Sequence, residues 1–463
     1  MKKIIFTLAL TAFVLNVAAQ NGGITPKMMS EIKKGVTLSK SDKAISNVLK
    51  KNSLEALSKN AKPVSEDAFD ISNKVPSAGI SDQESSGRCW LFSGLNVLRS
   101  KMILRYDLGN FFFSQNYLFF YDQLEKSNLF LQSVIDCGNL PMTDRKVEWL
   151  FQNPLSDGGN FCGVQDLVSK YGLVPASVMP ESYNANNTSR MSSILKLRLR
   201  QGGLELRNMV AKKAKKDDLQ RHKAKVLTDV YRILSMCLGT PPEEFEYTLK
   251  NKEGKVVESA TYTPLSFYKK YFSLNLKQDF LLFMNDPSRP FYKTYTVDMS
   301  RHTYDGTNWT FLNVPTSDMK EMAIASIKDS TVLYFSCDVN KQHDKKTGLL
   351  SMQNYDYDFL LGGEKGMNKA ERIQTFASAS SHAMTLTGVD LDAAGKSKKW
   401  LIENSWGEVS GHNGFLVMTD EWFDEYIFRL VVEKRYVPAK LQKLFQQKAE
   451  QLPAWDPLYG MED

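Results

Sequence analysis

An α+β fold is predicted for this chain, in which a buried helix near residue 90 packs against a β-rich half built from the end of the sequence. The first observation is the segment CWLFSGLNVLRSKMI, where Leu91, Leu95, Leu98 and Met102 recur at helical spacing and Phe92 and Val97 widen the apolar stripe. That is the pattern of a largely buried helix, and Ser86, Gly87 and Arg88 mark its start, which puts Cys89 in the first turn. The second is a run of short β-rich segments late in the chain: TVLYFSCDV (331–339), HAMTLTGVD (382–390) and KWLIEN (399–404). The third is composition: 463 residues at 42% apolar, 11% aromatic and 24% charged exclude disordered and fibrous classes, and the length can hold two or three packing units.

Taken in order, the chain opens with MKKIIFTLALTAFVLNVAAQ, in which Lys2 and Lys3 precede an apolar run over residues 4–17 and small residues follow. This is the layout of a signal peptide over residues 1–19, with Gln20 first in the mature chain. The apolar run is short for a membrane span of about 20 residues, so export to a periplasmic or extracellular location is expected, with no stable membrane insertion after cleavage. Residues 20–75 are rich in lysine and serine and read as an N-terminal arm over a larger body. Residues 76–182 form the first part of the core, with the Cys89 helix. Residues 183–315 read as a mainly helical insertion with basic faces, broken by the turn-like GTPPEEF and NDPSRP. Residues 316–450 complete the core, and 451–463 form a tail.

The formal charge of +7 becomes +5 once Lys2 and Lys3 leave with the leader, which identifies no partner by itself. Basic residues gather over 190–225, with Lys212, Lys213, Lys215 and Lys216 at the centre. Such a cluster can attract polyanions. A solvated helix face with counter-charges at Asp217 and Asp218 is the simpler expectation.

Five cysteines, Cys89, Cys137, Cys162, Cys237 and Cys337, leave at least one unpaired. Their spacing is not that of a disulfide scaffold, and no Cys-x-x-Cys or histidine cluster suggests a metal; no cofactor is expected. A thiol at a helix N-terminus feels the positive end of the helix dipole, which favours the thiolate. A hydrolase built on it also needs a base and a group that fixes the base's tautomer. Of the histidines His222, His302, His343, His382 and His412, His222 and His343 lie among charged residues and read as solvated. His382 opens a strand, and Asp392, Ala393, Ala394 and Gly395 supply a turn midway to Asn404. An antiparallel hairpin therefore brings His382 and Asn404 together at its open end, where the Asn amide oxygen can accept the imidazole N–H. Gln83, six residues before Cys89, can join the Cys89 backbone N–H in stabilising an oxyanion.

Gln83, Cys89 with Trp90, His382 and the NSWG run from Asn404 occur in the order found in papain-like cysteine peptidases. Further segments, among them SSGRCWLF, NPLSDGGNF, LGTPPEEF, MNKAER, SHAMTLTGV, MTDEWF and LPAWDP, resemble one branch of them, the bleomycin hydrolase and aminopeptidase C family, over most of the chain from about residue 65. The resemblance implies a papain-like fold carrying a large helical insertion, assembled as a homohexamer around an internal cavity, and hydrolysing peptide bonds. It implies Cys89 as nucleophile, His382 as general base and acid, Asn404 as orienting residue and Gln83 as oxyanion donor. It further implies Gly158 and Gly159 as a rail for substrate backbone, Trp406 as a shield over the His382 and Asn404 pair, and a terminal carboxylate, here Asp463, that pairs with the free ammonium of a peptide substrate. The ending departs from the family's usual one in carrying Glu462 and Asp463. The family is usually cytoplasmic, so a leader sets this chain apart, and Cys137 and Cys162 stand where the family gives no cysteine. Export makes a disulfide between those two an expectation to check.

The expected function is that of an exported cysteine aminopeptidase acting on peptides with a free N-terminus. A papain-like endopeptidase uses the same residues and remains the alternative. A nucleic-acid-binding oligomer, suggested by the basic 190–225 region, ranks below both, since an exported protein meets little nucleic acid. A non-catalytic scaffold is disfavoured because all four catalytic positions hold competent residue types.

Overall fold

A computed structural model of the protein describes residues 22–60, 66–362 and 366–459, so the 1–19 leader and Asp463 lie outside the described residues. The arm contains α1 (Pro26–Gly35), α2 (Lys40–Leu49) and α3 (Leu54–Ser58). Each begins at a residue built to cap it, Thr25, Ser39 and Ser53, whose hydroxyls accept first-turn amides. Neither α1 nor α2 buries a side chain. The arm meets the body at its far end, where Lys59 pairs with Asp344 at 2.8 Å and the Asn60 N–H donates to the Asn354 carbonyl at 2.9 Å.

After β1 (Asn73–Lys74), the first half of the body is helical: α4 (Cys89–Tyr106), α5 (Gln115–Asp136), α6 (Arg145–Gln152) and α7 (Phe161–Tyr171). The expected stripe of α4 is buried, and Arg99, Asn96 and Ser93 are buried with it, because helix and sheet enclose its first three turns, while Leu104 and Arg105 near its end reach solvent. Its contact with α7 is close enough that a Cβ on Gly94 would stand 2.5 Å from a Val164 methyl. The chain continues through α8 (Tyr183–Asn186), α9 (Ser189–Ala211) and α10 (Lys216–Leu238), the last two packing on α5, and then a separate hairpin of β2 (Phe245–Lys250) and β3 (Val256–Tyr262). Lys212, Lys213, Lys215 and Lys216 sit exposed at the turn between α9 and α10; Asp218 pairs with Arg221 instead of with any of them.

Of the 183–315 region expected to be mainly helical, α8 to α10 are helical, the β2 and β3 hairpin interrupts the pattern, and α11 (Pro264–Tyr271) and the short α12 (Leu276–Asp279) follow it. From there β4 (Phe280–Met284), β5 (Thr294–Val297) and β6 (Thr310–Asn313) join the main sheet. FLLFM is a continuous apolar run buried on both faces, and such a run has no period that separates strand from helix.

The remaining chain gives α13 (Thr316–Lys328), β7 (Leu333–Cys337), β8 (His343–Asp344), β9 (Leu349–Leu350), α14 (Tyr357–Leu361), α15 (Lys369–Gln374), β10 (His382–Leu391), β11 (Ser397–Glu403), β12 (Phe415–Thr419), α16 (Asp420–Tyr426), β13 (Ile427–Glu433), α17 (Ala439–Leu444) and β14 (Glu450–Leu452). Among the described residues the main sheet runs β14-β5-β6-β4-β13-β7-β10-β11-β12-β9-β8, with β1 added on β10. The expected hairpin is β10 and β11, antiparallel with Thr385 opposite Glu403, closed by the turn at Asp392 to Gly395. Gly395 takes φ +80° there, a conformation that favours glycine.

A buried ion pair fastens α4 to the end of β11. Arg99 Nη1 lies 2.9 Å from Glu403 Oε1, and both side chains are 3% exposed. The same guanidinium donates to the Phe111 carbonyl at 2.7 Å, to the Asn96 side chain at 3.1 Å and to the Ala78 and Gly79 carbonyls; Asn96 also donates to Glu403 at 3.1 Å. Burial pushes the Glu403 carboxyl up, while the Arg99 charge pulls it back down. Removing one member would strand the other's charge in the core, so Arg99→Met is expected to cost about 3–5 kcal/mol, read from urea unfolding. A loss under about 1 kcal/mol, the scale of a surface pair, would show that the pair does not hold helix to sheet.

Candidate active site

Cys89 is the first residue of α4. The chain reaches it through a tight 85–88 turn: the Gly87 N–H donates to Asp157 at 2.8 Å, and a Cβ there would meet the same carboxylate at 2.6 Å. Arg88, wholly buried, pairs with Glu181 at 2.7 Å and lies over the Phe92 and Phe119 rings. The helix entry is thus fixed from outside the helix, and Arg88 itself gives no side-chain cap. Across the cleft the Ala383 N–H points at the Cys89 sulfur at 3.4 Å, so the thiol lies beside the residue that follows His382. Burial pushes the other four thiols, Cys137, Cys162, Cys237 and Cys337, above the usual thiol range. Each therefore holds less thiolate at neutral pH than an ordinary thiol.

His382 starts β10, opposite Cys337 of β7. Its Nε2 is 2.8 Å from Asn404 Oδ1, and that oxygen also accepts the Ser405 N–H at 2.8 Å. An amide oxygen can only accept, so Nε2 carries the proton and Nδ1 is left as the basic nitrogen. The half-buried Trp406 indole lies over the imidazole with centroids 4.6 Å apart and planes at 27°. Burial pulls the ring down to about 4, against the pull of the Asn404 hydrogen bond. Beside a protonated thiol the ring is therefore neutral and able to take a proton. A neighbouring thiolate would reverse this balance by stabilising the imidazolium.

Gln83 is buried at the mouth of the same turn. Ser405 Oγ donates to its Oε1 at 2.7 Å, and one Nε2 proton goes to the Ser86 carbonyl at 2.7 Å. The amide is thus oriented, with its second N–H available to an oxyanion. The structure therefore brings Gln83, Cys89, His382, Asn404 and Trp406 together. Ser405, which joins Asn404 to Gln83, escaped the sequence reasoning although it is the second letter of NSWG.

Gly158 and Gly159 lie on the 156–160 loop beside a cavity of about 560 Å3, whose wall also includes His302, Arg301, Ala454, Trp455 and Tyr459. The C-terminal segment is clamped there: Arg289 pairs with Asp456, and the buried Arg429 donates to the Leu458 carbonyl at 3.1 Å and lies under the Tyr459 ring. Nothing in the local sequence marked Arg289 and Arg429, which lie far from the tail in the chain. Asp463 lies outside the described residues.

Two expectations are corrected. Cys137 and Cys162 are both free thiols: Cys162 is buried in the first turn of α7, whereas Cys137 is the half-buried C-cap of α5. His343 is not solvated but 4% exposed, its ring stacked toward Trp406 at 6.1 Å, because β8 and β9 fold it inward; burial pulls it down to about 4. His222 does sit near the surface, 2.9 Å from Glu205. Among the described residues no group of His, Cys, Asp and Glu is placed to hold a metal, and no helix is long and apolar enough to cross a membrane.

A family model described as the peptidase C1-like family matches residues 23–459. The chain belongs to that family. It is 40% identical over 395 residues to bleomycin hydrolase from Rattus norvegicus, an alignment covering 83% of this chain and 87% of the relative. With aminopeptidase C from Lactobacillus delbrueckii subsp. lactis it shares 37% over 393 residues, 84% and 87% of the two chains. The crystal structure of PepW from Lactobacillus rhamnosis HN001 superposes with a TM-score of 0.89 at 34% identity, covering 95% of this chain and 99% of that one. The papain-like α+β fold expected from the resemblance is thus the fold of this peptidase C1-like chain.

With the Cys89 thiol protonated, burial pulls His382 and His343 both down to about 4 from an ordinary 6.5. Between those limits the unfolded chain binds protons that the folded one refuses, so this stability is present above pH 6.5 and is lost as pH falls toward about 4. In Cys89→Ala, where no thiolate can form, the His382 ring resonance is expected to titrate near 4 by NMR. A midpoint near 6.5 would mean that water reaches the ring and that Trp406 does not cover it.

Proposed function

We propose that the protein is an exported cysteine aminopeptidase that hydrolyses the bond after the first residue of peptides with a free N-terminus. The observation that carries this reading is the Cys89 thiol set against the strand that bears His382, itself paired with Asn404, on a chain whose clamped C-terminal segment lines a cavity together with Gly158 and Gly159. Relatives named aminopeptidase C and bleomycin hydrolase support the reaction class.

In this reading Cys89 Sγ attacks the carbonyl carbon while His382 Nδ1 takes the thiol proton. The oxyanion of the tetrahedral intermediate is met by the Gln83 Nε2–H and the Cys89 backbone N–H. Collapse breaks the C–N bond, with His382 returning the proton to the leaving amine, and leaves a thioester on Cys89. Water, deprotonated by the same imidazole, then releases the acid and restores the thiol. Asn404 keeps the ring in the tautomer that both steps need, and Trp406 limits competing water at the imidazole.

Selection of a free amine rests on the tail. Arg289 and Arg429 hold residues 456–459 at the cavity beside Gly158 and Gly159, and the terminal Asp463 would offer carboxylate charge to the substrate ammonium. Export is supported by the 1–19 leader alone, with sequencing of secreted protein expected to begin at Gln20. A homohexamer is supported by the family resemblance and by the exposed Ile194, Leu197 and Leu204 on one face of α9; light scattering should find six copies.

The deciding experiment compares a fluorogenic amino-acid amide with its N-acetylated twin under reducing conditions. The free amine alone is expected to be cleaved, and Cys89→Ala is expected to fold and lose turnover. Equal cleavage of both amides would make the protein an endopeptidase, and wild-type turnover in Cys89→Ala would remove Cys89 as nucleophile.

A further inference from the structure

His302 takes no part in the chemistry above, yet it is buried directly beneath the rail. It lies after β5, and its ring stands 4.5 Å from the ring of Trp90, the residue that follows the nucleophile. A Cβ on Gly159 would come within 2.3 Å of the imidazole, and one on Gly163 within 2.4 Å. The two glycines are thus small because the ring fills the space under them. The polar atoms are engaged as well. Nδ1 lies 2.5 Å from Asp122 Oδ1, and Nε2 accepts the Asn160 N–H at 3.4 Å. The other Asp122 oxygen meets Lys126 at 2.9 Å and Gln123 at 3.0 Å. Lys126 then donates to the carbonyls of Ser156 at 3.0 Å and Gly158 at 2.6 Å.

This network starts and ends on the same loop. From His302 it reaches Asn160; from Lys126 it reaches Ser156 and Gly158; Asp122 joins the two. Accepting from Asn160 requires an unprotonated Nε2, so the ring is the neutral tautomer with its proton on Nδ1, donated to Asp122. Burial and the nearby Lys126 charge hold the imidazole below its usual range, in keeping with that tautomer. Burial works to raise the Asp122 carboxyl, but Lys126 and His302 outweigh it and keep it ionised.

We propose that His302, braced by Asp122 and Lys126, is a positioning residue that sets the height and orientation of the Gly158 and Gly159 rail relative to Cys89, and so governs how tightly the enzyme holds its substrate. The proposal rests on the peptidase reading above. It assigns His302 no contact with the reacting atoms: the imidazole acts on the backbone that carries the rail, and Trp90 ties that backbone to the nucleophile's helix, its indole N–H donating to the Asp157 carbonyl at 2.9 Å.

His302→Phe keeps a ring under the glycines and deletes both polar contacts, whereas His302→Asn is smaller but can still accept from Asn160 and donate toward Asp122. With the free-amine amide as substrate, His302→Phe is expected to raise KM by about tenfold or more while kcat stays within about threefold, and His302→Asn to stay within about threefold in KM. Alkylation of Cys89 by iodoacetamide should proceed at the wild-type rate in both. A His302→Phe enzyme with wild-type KM, or equal KM losses in the two variants, would overturn the proposal, because packing alone would then explain the ring. If His302→Phe does not fold, Lys126→Met tests the other end of the network, with the same KM rise expected and an unchanged KM overturning it. Failure of the wild-type enzyme to cleave the amide would instead reject the peptidase reading, so the two failures are distinguishable.

Discussion

The buried pair of Arg99 and Glu403 is the contact on which the arrangement of the site depends. Cys89 belongs to the helix that carries Arg99, and Asn404 follows Glu403 at the end of β11. Any slip of α4 along the sheet would separate the thiol from the His382 and Asn404 pair, since one turn of helix is about 5.4 Å. Close apolar packing, such as that of Gly94 against Val164, does not by itself name the partner across the sheet, although it also resists such a slip. A guanidinium with fixed donor directions does not tolerate it: Arg99 reaches Glu403, Asn96 and three carbonyls at once, and a shift would leave several of them unpaired in the core. The desolvation cost of burying two charges is in this view the cost of register.

The same logic recurs around the catalytic groups at smaller scale. Asn404 Oδ1 receives two donors, one from His382 and one from its own neighbour Ser405, so the amide cannot rotate without losing both. Ser405 in turn fixes Gln83, which turns back to the Ser86 carbonyl and so to the turn that begins α4. His382, Gln83 and the turn that leads to Cys89 are therefore linked through hydrogen bonds whose directions are set before any substrate arrives, the condition under which the proposed electrostatic stabilisation would be most effective.

Much of this was legible in the sequence, and the parts that were not share a physical cause. The α4 helix was readable from Leu91, Leu95, Leu98 and Met102 at helical spacing, although its other faces are nearly as apolar, and the β10 and β11 hairpin because its turn lies midway between His382 and Asn404. Strands β4 to β6 were not: the FLLFM run of β4, buried on both faces, carries no alternation, and β5 and β6 are only four residues each. His343 looked solvated because its neighbours in sequence are charged, but Asp344 is committed to Lys59 from the arm and the strand turns the imidazole inward. His302 lies far in the chain from Asp122 and Lys126, and Arg289, Arg429 and the tail they hold come from three separate segments. Each of these residues reads alone as an ordinary charged or polar position, and only the fold supplies its partner.

The tail shows what such long-range pairing makes possible. A peptide held in a cleft by a separate binding protein must offset the loss of its translational freedom, whereas a segment of the same chain has already lost it on folding. Arg289 and Arg429 need therefore only direct residues 456–459, and they do so by one ion pair, one carbonyl contact and one aromatic face. In the proposed reading such a wall would exclude longer N-terminal extensions at no cost in affinity, because exclusion would come from occupied volume and not from a weaker contact. On the proposed reading, a catalytic constellation competent for any peptide bond would become selective through this addition, so selectivity could change through the last residues of the chain while Cys89, His382 and Asn404 stay as they are.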